Sequence, residues 1–261
     1  MRNHIINKYG AYVPDKATLS FLKFTSELGI CELLMVYINI AEELLSTNNE
    51  FVVERLTRIY QDQENELSNE LVKLLTKNGA ESFTQSKSYE HYFCQMAFSR
   101  SIDNLITYFK DILAEVINIK PEILKSNETI NYEFVLSFDD INELKNALAE
   151  KKIEELFYGG VINIKNYFEK RLGVILFDKQ DAFDQINYII KIRNLIVHNR
   201  GMVNSEFKKE FPLVSQKVGD SYSFKYEEIS KLNLDIQNFI AYTDDKIGSK
   251  FNLPLLDNLP G

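Results

Sequence analysis

The chain has 261 residues and a mass of 30.4 kDa, with 45% hydrophobic and 26% charged residues, the balance of an ordinary globular protein with room for one large domain, or one domain and an extension. The 18 Phe and 14 Tyr exclude a chain disordered throughout, and 10 Gly and 5 Pro are too little turn punctuation for a many-stranded β fold. A net charge of −8 excludes broad coating of nucleic acid, although residues 161–210 hold nine Lys/Arg against six Asp/Glu and form a local basic island.

Met1 to Tyr12 mixes Arg, Asn, His and Lys with short apolar pieces and does not read as a secretory segment. From Thr18 to Leu45 apolar residues recur at mostly helical spacing, with Gly29 as a candidate break. The apolar stretch Leu33 to Ala41 is nine residues, short of the roughly 20 that a membrane-spanning helix needs. Asn49 can cap a second helix running to about Lys77 and stopped by Asn78-Gly79, its middle (Gln61 to Glu66) wholly polar. Residues 80–90, rich in Ser, Thr, Gln and Lys, mark a domain boundary.

The strongest period follows: apolar positions 98, 102, 105, 106, 109, 112, 113, 116 and 117 predict a one-faced helix that ends before Pro121. Ser137 and Asp140 offer a capping box for a helix through Phe157, ended by Gly159-Gly160. A shorter helix covers about Ile162 to Leu172 and stops at Gly173. Asp178 or Asp181 opens another, which ends near Asn199 to Gly201. Lys217 to Phe224, with Gly219-Asp220 as a tight-turn pair, predicts a small hairpin, and a last helix runs from about Tyr226 to Ile247. The fold class is therefore all-α, a helical bundle with one small β-hairpin. Cys31 and Cys94, far apart in sequence, read as reduced thiols of a cytoplasmic protein rather than a disulfide framework or a zinc site.

The chain has no Gly-rich phosphate loop, no His-Glu-x-x-His pair and no GxSxG elbow. Its histidines are at 4, 91 and 198. His4 lies in the terminal segment and His91, beside Tyr92 and Phe93, reads as structural. His198 closes Lys191-Ile192-Arg193-Asn194-Leu195-Ile196-Val197-His198-Asn199-Arg200-Gly201, which places three cations, an imidazole and two amides at a predicted helix C-terminus. The plain reading is that the cations complement the helix dipole while Asn199 or Gly201 supplies a left-handed cap. The chemical reading is a phosphodiester site, in which histidine moves a proton near neutral pH and arginine clamps phosphate oxygens. Asn194 and His198 are four apart and share a helix face. Arg193 and His198 are five apart, about 140° around the axis, so they meet on one phosphate only if the helix ends near the His or a second subunit contributes.

Arg193-Asn194 followed by His198, an arginine, a polar residue and a histidine five positions after the arginine, resembles the signature of the HEPN superfamily. FSRSIDNLITYFKDILAEV upstream, RNLIVHNRGMVN, and the KVGDSYSF segment with the last helix downstream follow the order of stand-alone HEPN proteins of the RiboL-PSP type. The likeness covers roughly Ser88 to Ile247. It implies an HEPN-like helical domain over 88–250, an N-terminal helical extension over 1–87 and an irregular tail over 251–261. It also implies a metal-independent endoribonuclease needing no cofactor, with Arg193 and His198 catalytic and Asn194 orienting them. Asn199, Arg200 and Lys191 would hold RNA, with Arg100 and Asp103 as further candidates for the cleft, or else a surface ion pair. A homodimer would bring two motifs into one cleft, in phage defence or a toxin-type stress response. Some HEPN toxins carry His-x-Tyr as the target of a modifying partner. Arg200 occupies that tyrosine's place here, so that route is not expected, and another antitoxin or regulatory protein stays open. The alternative is a non-catalytic HEPN scaffold for a protein or nucleotide partner. A membrane is not an expected partner.

Overall fold

The computed structural model describes residues 4–6, 10–47, 54, 58, 87–125, 129–158 and 160–257. Over these residues the chain is all-α, with eight α-helices and two short strand pairs. Strand β1 (His4–Ile6) runs antiparallel to β2 (Tyr12–Pro14), and β3 (Lys16–Ala17) is followed directly by α1 (Leu19–Thr47). Helix α2 (Lys87–Ile119) leads through a 3₁₀ turn (Pro121–Leu124) to α3 (Tyr132–Leu136) and α4 (Ile141–Tyr158). Helix α5 (Val161–Tyr167) continues as a π turn (Phe168–Leu172). Then come α6 (Gln180–Asn199), α7 (Ser205–Glu210), α8 (Tyr226–Phe251) and β4 (Leu256–Asp257), which pairs with β3.

Helix α2 is the axis of the bundle, and α1, α4, α6 and α8 all pack against it. Its side chains Phe98, Ile102, Leu105, Ile112, Leu113 and Val116 are almost wholly buried, each removing apolar area worth about 1.5–3 kcal/mol from water. The helix stops because Lys120 precedes Pro121 and is pushed out of helical geometry, at φ −132° and ψ 67°. It begins at Lys87, eleven residues before the periodic run, inside the stretch read as a boundary. Helix α4 starts where Asp140 Oδ1 accepts from the N–H groups of Asn142 (2.6 Å) and Glu143 (3.0 Å). Ser137 ends α3 instead, its hydroxyl donating to the Phe134 carbonyl. The left-handed Gly173 (φ +63°) closes the π turn.

Helix α1 runs unbroken through Gly29, whose missing Cβ faces open space, so only a helix-propensity cost of about 1 kcal/mol is incurred. Its inner side, Phe21, Phe24, Leu28, Cys31 and Met35, is buried in the common core. Neighbours pin that side with polar contacts. Asn104 donates to the Phe24 carbonyl (2.9 Å), Tyr226 to the Met35 carbonyl (2.7 Å) and Asn233 to the Glu32 carboxylate. Asp244, fully buried, accepts from the Thr18 hydroxyl and backbone N–H and from the Tyr108 hydroxyl, and holds the entry to the helix. The opposite side leaves Ile30, Leu33, Leu34, Tyr37 and Ile40 exposed. By length and composition Leu19–Ala41 could cross a membrane, a longer apolar run than the nine residues counted from sequence. Core helices of water-soluble proteins pass the same test, and the inner face of this one belongs to the core.

Two further expectations are corrected. Lys217 to Phe224 forms no hairpin. The Asp220 N–H closes a turn on the Lys217 carbonyl, and the arm beyond it pairs with residues 201–203 through Val203 N–H to Asp220 O and Tyr222 N–H to Gly201 O. Phe224 stacks on Phe98 with ring centroids 4.3 Å apart and Tyr222 meets Phe207 edge-on, so aromatic burial takes the arm away from its own partner strand. The tail is not irregular throughout either, because Leu253 is buried and Leu256 pairs with Ala17. The helix read from Asn49 to Lys77 lies outside the described residues, apart from the helical Glu54 and Arg58.

Candidate functional site

Helix α6 buries Ile186, Ile189, Ile192 and Leu195 at steps of three residues, which fixes its rotation against the core. The residues of the sequence motif then fall on its remaining faces. The helix ends in two left-handed residues, Arg200 (φ +54°) and Gly201 (φ +74°). The Gly201 N–H reaches back to the Leu195 carbonyl (3.0 Å) and the Met202 N–H to the Asn199 carbonyl (2.9 Å). The cap therefore uses Arg200 and Gly201, where the sequence offered Asn199 or Gly201. The Asn199 side chain tightens the same turn by donating to the Met202 carbonyl.

Arg193 points at α2. Its Nε donates to Asp103 Oδ1 at 2.8 Å, a terminal nitrogen lies 2.7 Å from the same oxygen, and its other terminal nitrogen donates to Asn194 Oδ1 at 3.3 Å. The Arg193 side chain is 22% exposed and that of Asp103 38%, so the pair is partly desolvated and the guanidinium is held in one place. Asp103 thus belongs with the motif. Arg100, three residues away, turns to Glu27 of α1, and this carboxylate raises its pKa by hydrogen bond and charge. Of the two α2 candidates, only Asp103 joins the arginine of the motif.

His198 is exposed on another face. With Asn194, Lys191 and Asn199 it lines one side of a groove of about 300 Å³, and Asn204, Glu206 and Glu210 line the other. Lys191 is engaged by Glu210 at 2.9 Å, and Asn204 caps α7 by accepting from the Phe207 N–H. Arg200 is exposed and makes no ion pair among the described residues. No hydrogen bond joins Arg193 to His198, as their angular separation on the helix requires. Asn194 is the residue common to both surroundings, bonded to the arginine and lining the groove of the histidine.

Two carboxylates in the groove, one of them free of a lysine, repel phosphate from its floor. His198 lines this groove, and the exposed Arg200 is not among the residues that line it. Glu206, Glu210 and Asn204 were not singled out from the sequence. Their signal was local, since Asn204 is an N-cap residue three before Phe207 in a short helix that hydrophobic periodicity is too coarse to detect.

His91, read as structural, contacts Ser221 and Gln95 through Nε2 at 2.8 and 3.0 Å. Cys31 and Cys94 are buried and unbonded to each other, and burial pushes the Cys31 thiol pKa up. Among the described residues no group of three or more His, Cys, Asp or Glu is placed to hold a metal ion. Comparison of the chain with models of known families, with curated proteins and with solved structures finds no match.

Proposed function

We propose that this chain is an HEPN-like, metal-independent endoribonuclease that works as a homodimer. The observation that carries the reading is the network Asp103–Arg193–Asn194 beside an exposed His198 at a helix end. It supplies a fixed cation and a proton-transfer group within two helical turns. In the reaction the imidazole of one His198 takes the proton of a ribose 2′-hydroxyl. The 2′-oxygen bonds to phosphorus while the bond to the 5′-oxygen breaks, and the departing oxygen takes a proton from the imidazolium of a second copy. The products are a 2′,3′-cyclic phosphate and a 5′-hydroxyl end. Arg193 and Arg200 offset charge on the phosphorane. The second copy removes the geometric difficulty of two groups about 140° apart on one helix. Phage defence or a toxin-type stress response is the setting that fits such an activity.

The test is cleavage of total RNA in EDTA by wild type and by His198→Ala, with product ends mapped. Cyclic-phosphate ends lost in the variant support the enzyme. Cleavage by the variant at the wild-type rate refutes it.

One observation favours a second reading, a binding scaffold: Arg193 and Lys191 are both neutralised by carboxylates, on a chain of net charge −8. Purification separates the two, since a scaffold brings down a stoichiometric protein partner and a ribonuclease brings down RNA.

A further inference from the structure

Helices α2 and α6 run antiparallel, and their contacts keep one register. Asp103 meets Arg193, and Gln95, eight residues earlier on α2, meets Gly201, eight residues later along the chain. Gln95 is 5% exposed, a polar side chain inside the central helix of the bundle. Its Nε2 donates to the Tyr222 carbonyl at 2.8 Å and lies 3.0 Å from His91 Nε2. Ser99 occupies the turn between Gln95 and Asp103, so that His91, Gln95, Ser99 and Asp103 follow one another at intervals of four. They form a polar stripe along one face of α2. Both Ser99 Oγ and His91 Nδ1 are buried without a hydrogen-bond partner.

Gly201 rests directly on Gln95. A Cβ at this position would come within 2.3 Å of Gln95 Nε2 and 3.0 Å of its Cδ, and the backbone is left-handed at φ +74°. The Gly201 carbonyl accepts from the Tyr222 N–H at 2.8 Å, and Tyr222 in turn is the residue that Gln95 holds. One side chain thus sets the height of the turn that carries Arg200 and follows His198.

We infer that Gln95 is a positioning residue of the site, acting through the Gly201–Tyr222 pairing and not by touching substrate. The inference takes its functional meaning from the ribonuclease reading, but its structural content is independent of it. Gln95→Glu keeps the bulk under Gly201 and sets an oxygen against the Tyr222 carbonyl. Gln95→Ala removes the contact altogether.

The experiment measures amide hydrogen exchange and His198 ring resonances in both variants, together with cleavage kinetics. Exchange at Tyr222 and Val203 should be at least about tenfold faster, with Ile236 and Ile240 of α8 unchanged and the His198 resonances shifted. kcat should fall about 10–100-fold with KM within about twofold. If Gln95→Ala does not fold, Gln95→Glu alone decides. Unchanged exchange at the turn, or equal loss of protection in turn and core, overturns the inference. Should wild type cleave no RNA, the exchange and ring resonances still decide the role of Gln95, and only the ribonuclease reading falls.

Discussion

Arg193 and His198 are five residues apart on one helix, yet they occupy opposite physical situations. The arginine is clamped by Asp103 and Asn194 in a partly buried network, while the histidine stands at the edge of an open groove. A clamped cation has already lost its conformational entropy, so it can meet developing charge without further ordering. The exposed imidazole has no such clamp and is open to a molecule entering the groove. The difference shows why the motif has to be read in three dimensions. The spacing in sequence gives the parts, and α2 decides which part is fixed.

The largest effect expected on this contrast comes from His198→Ala and Arg193→Ala, each of which should lower cleavage of RNA by about 10²–10⁴-fold. Their stabilities should separate them. His198→Ala leaves the denaturation midpoint unchanged, whereas Arg193→Ala strips Asp103 of its partner and costs about 0.5–1 kcal/mol after allowance for solvent screening. Equal midpoints in urea titration would mean that the clamp is not formed. Next, Gly201→Ala meets both a left-handed backbone and the Gln95 side chain, and should destabilise by about 2–3 kcal/mol. The double variant with Gln95→Ala should recover part of that loss, and strict additivity of the two would contradict the close packing between them.

Asp103→Asn ranks lower. It leaves a hydrogen-bond acceptor for Arg193 but removes the charge, so cleavage should fall about tenfold while RNA affinity in a filter-binding titration holds or rises, since a phosphate no longer competes with the carboxylate. The smallest effect belongs to Arg100→Ala. Its partner Glu27 is half-buried, with a side chain 42% exposed, and lies outside the motif, so stability should change by no more than about 0.5 kcal/mol and cleavage by less than about twofold. A large loss of activity in this variant would move the functional surface toward α1 and erase the distinction between Arg100 and Asp103.

The helices of the bundle were legible where local signals act. The period from Phe98, the stop before Pro121, the break at Gly173 and the last helix from Tyr226 all depend on neighbours within a few residues, and the structure has each of them. The 217–224 segment was misread because its strand-like alternation is satisfied by aromatic contacts to α2 and α7 and by backbone pairing with residues 201–203, partners that no local pattern names. The same holds for the tail, whose pairing with Lys16–Ala17 spans nearly the whole chain. Of the candidate site, the helix geometry correctly set Arg193 and His198 on different faces and Asn194 with the histidine. The choice of Glu27 by Arg100, and of Arg193 by Asp103, was not readable, because i,i+3 spacing on α2 is equally consistent with a pair between the two.

Helix α1 carries apolar residues on two opposite sides, and this poses a problem of rotational register. Hydrophobic attraction has no direction, so a helix with two greasy sides could settle onto α2 turned by half a revolution at little loss of buried area. The polar contacts along its inner side break that degeneracy. Asn104 at the Phe24 carbonyl, Tyr226 at Met35, Asn233 at Glu32 and Asp244 at Thr18 all lie on one side, and a helix rotated by half a turn would leave each of those donors and acceptors stranded. They act as the wards of a lock, adding little to total stability while admitting a single orientation of the key.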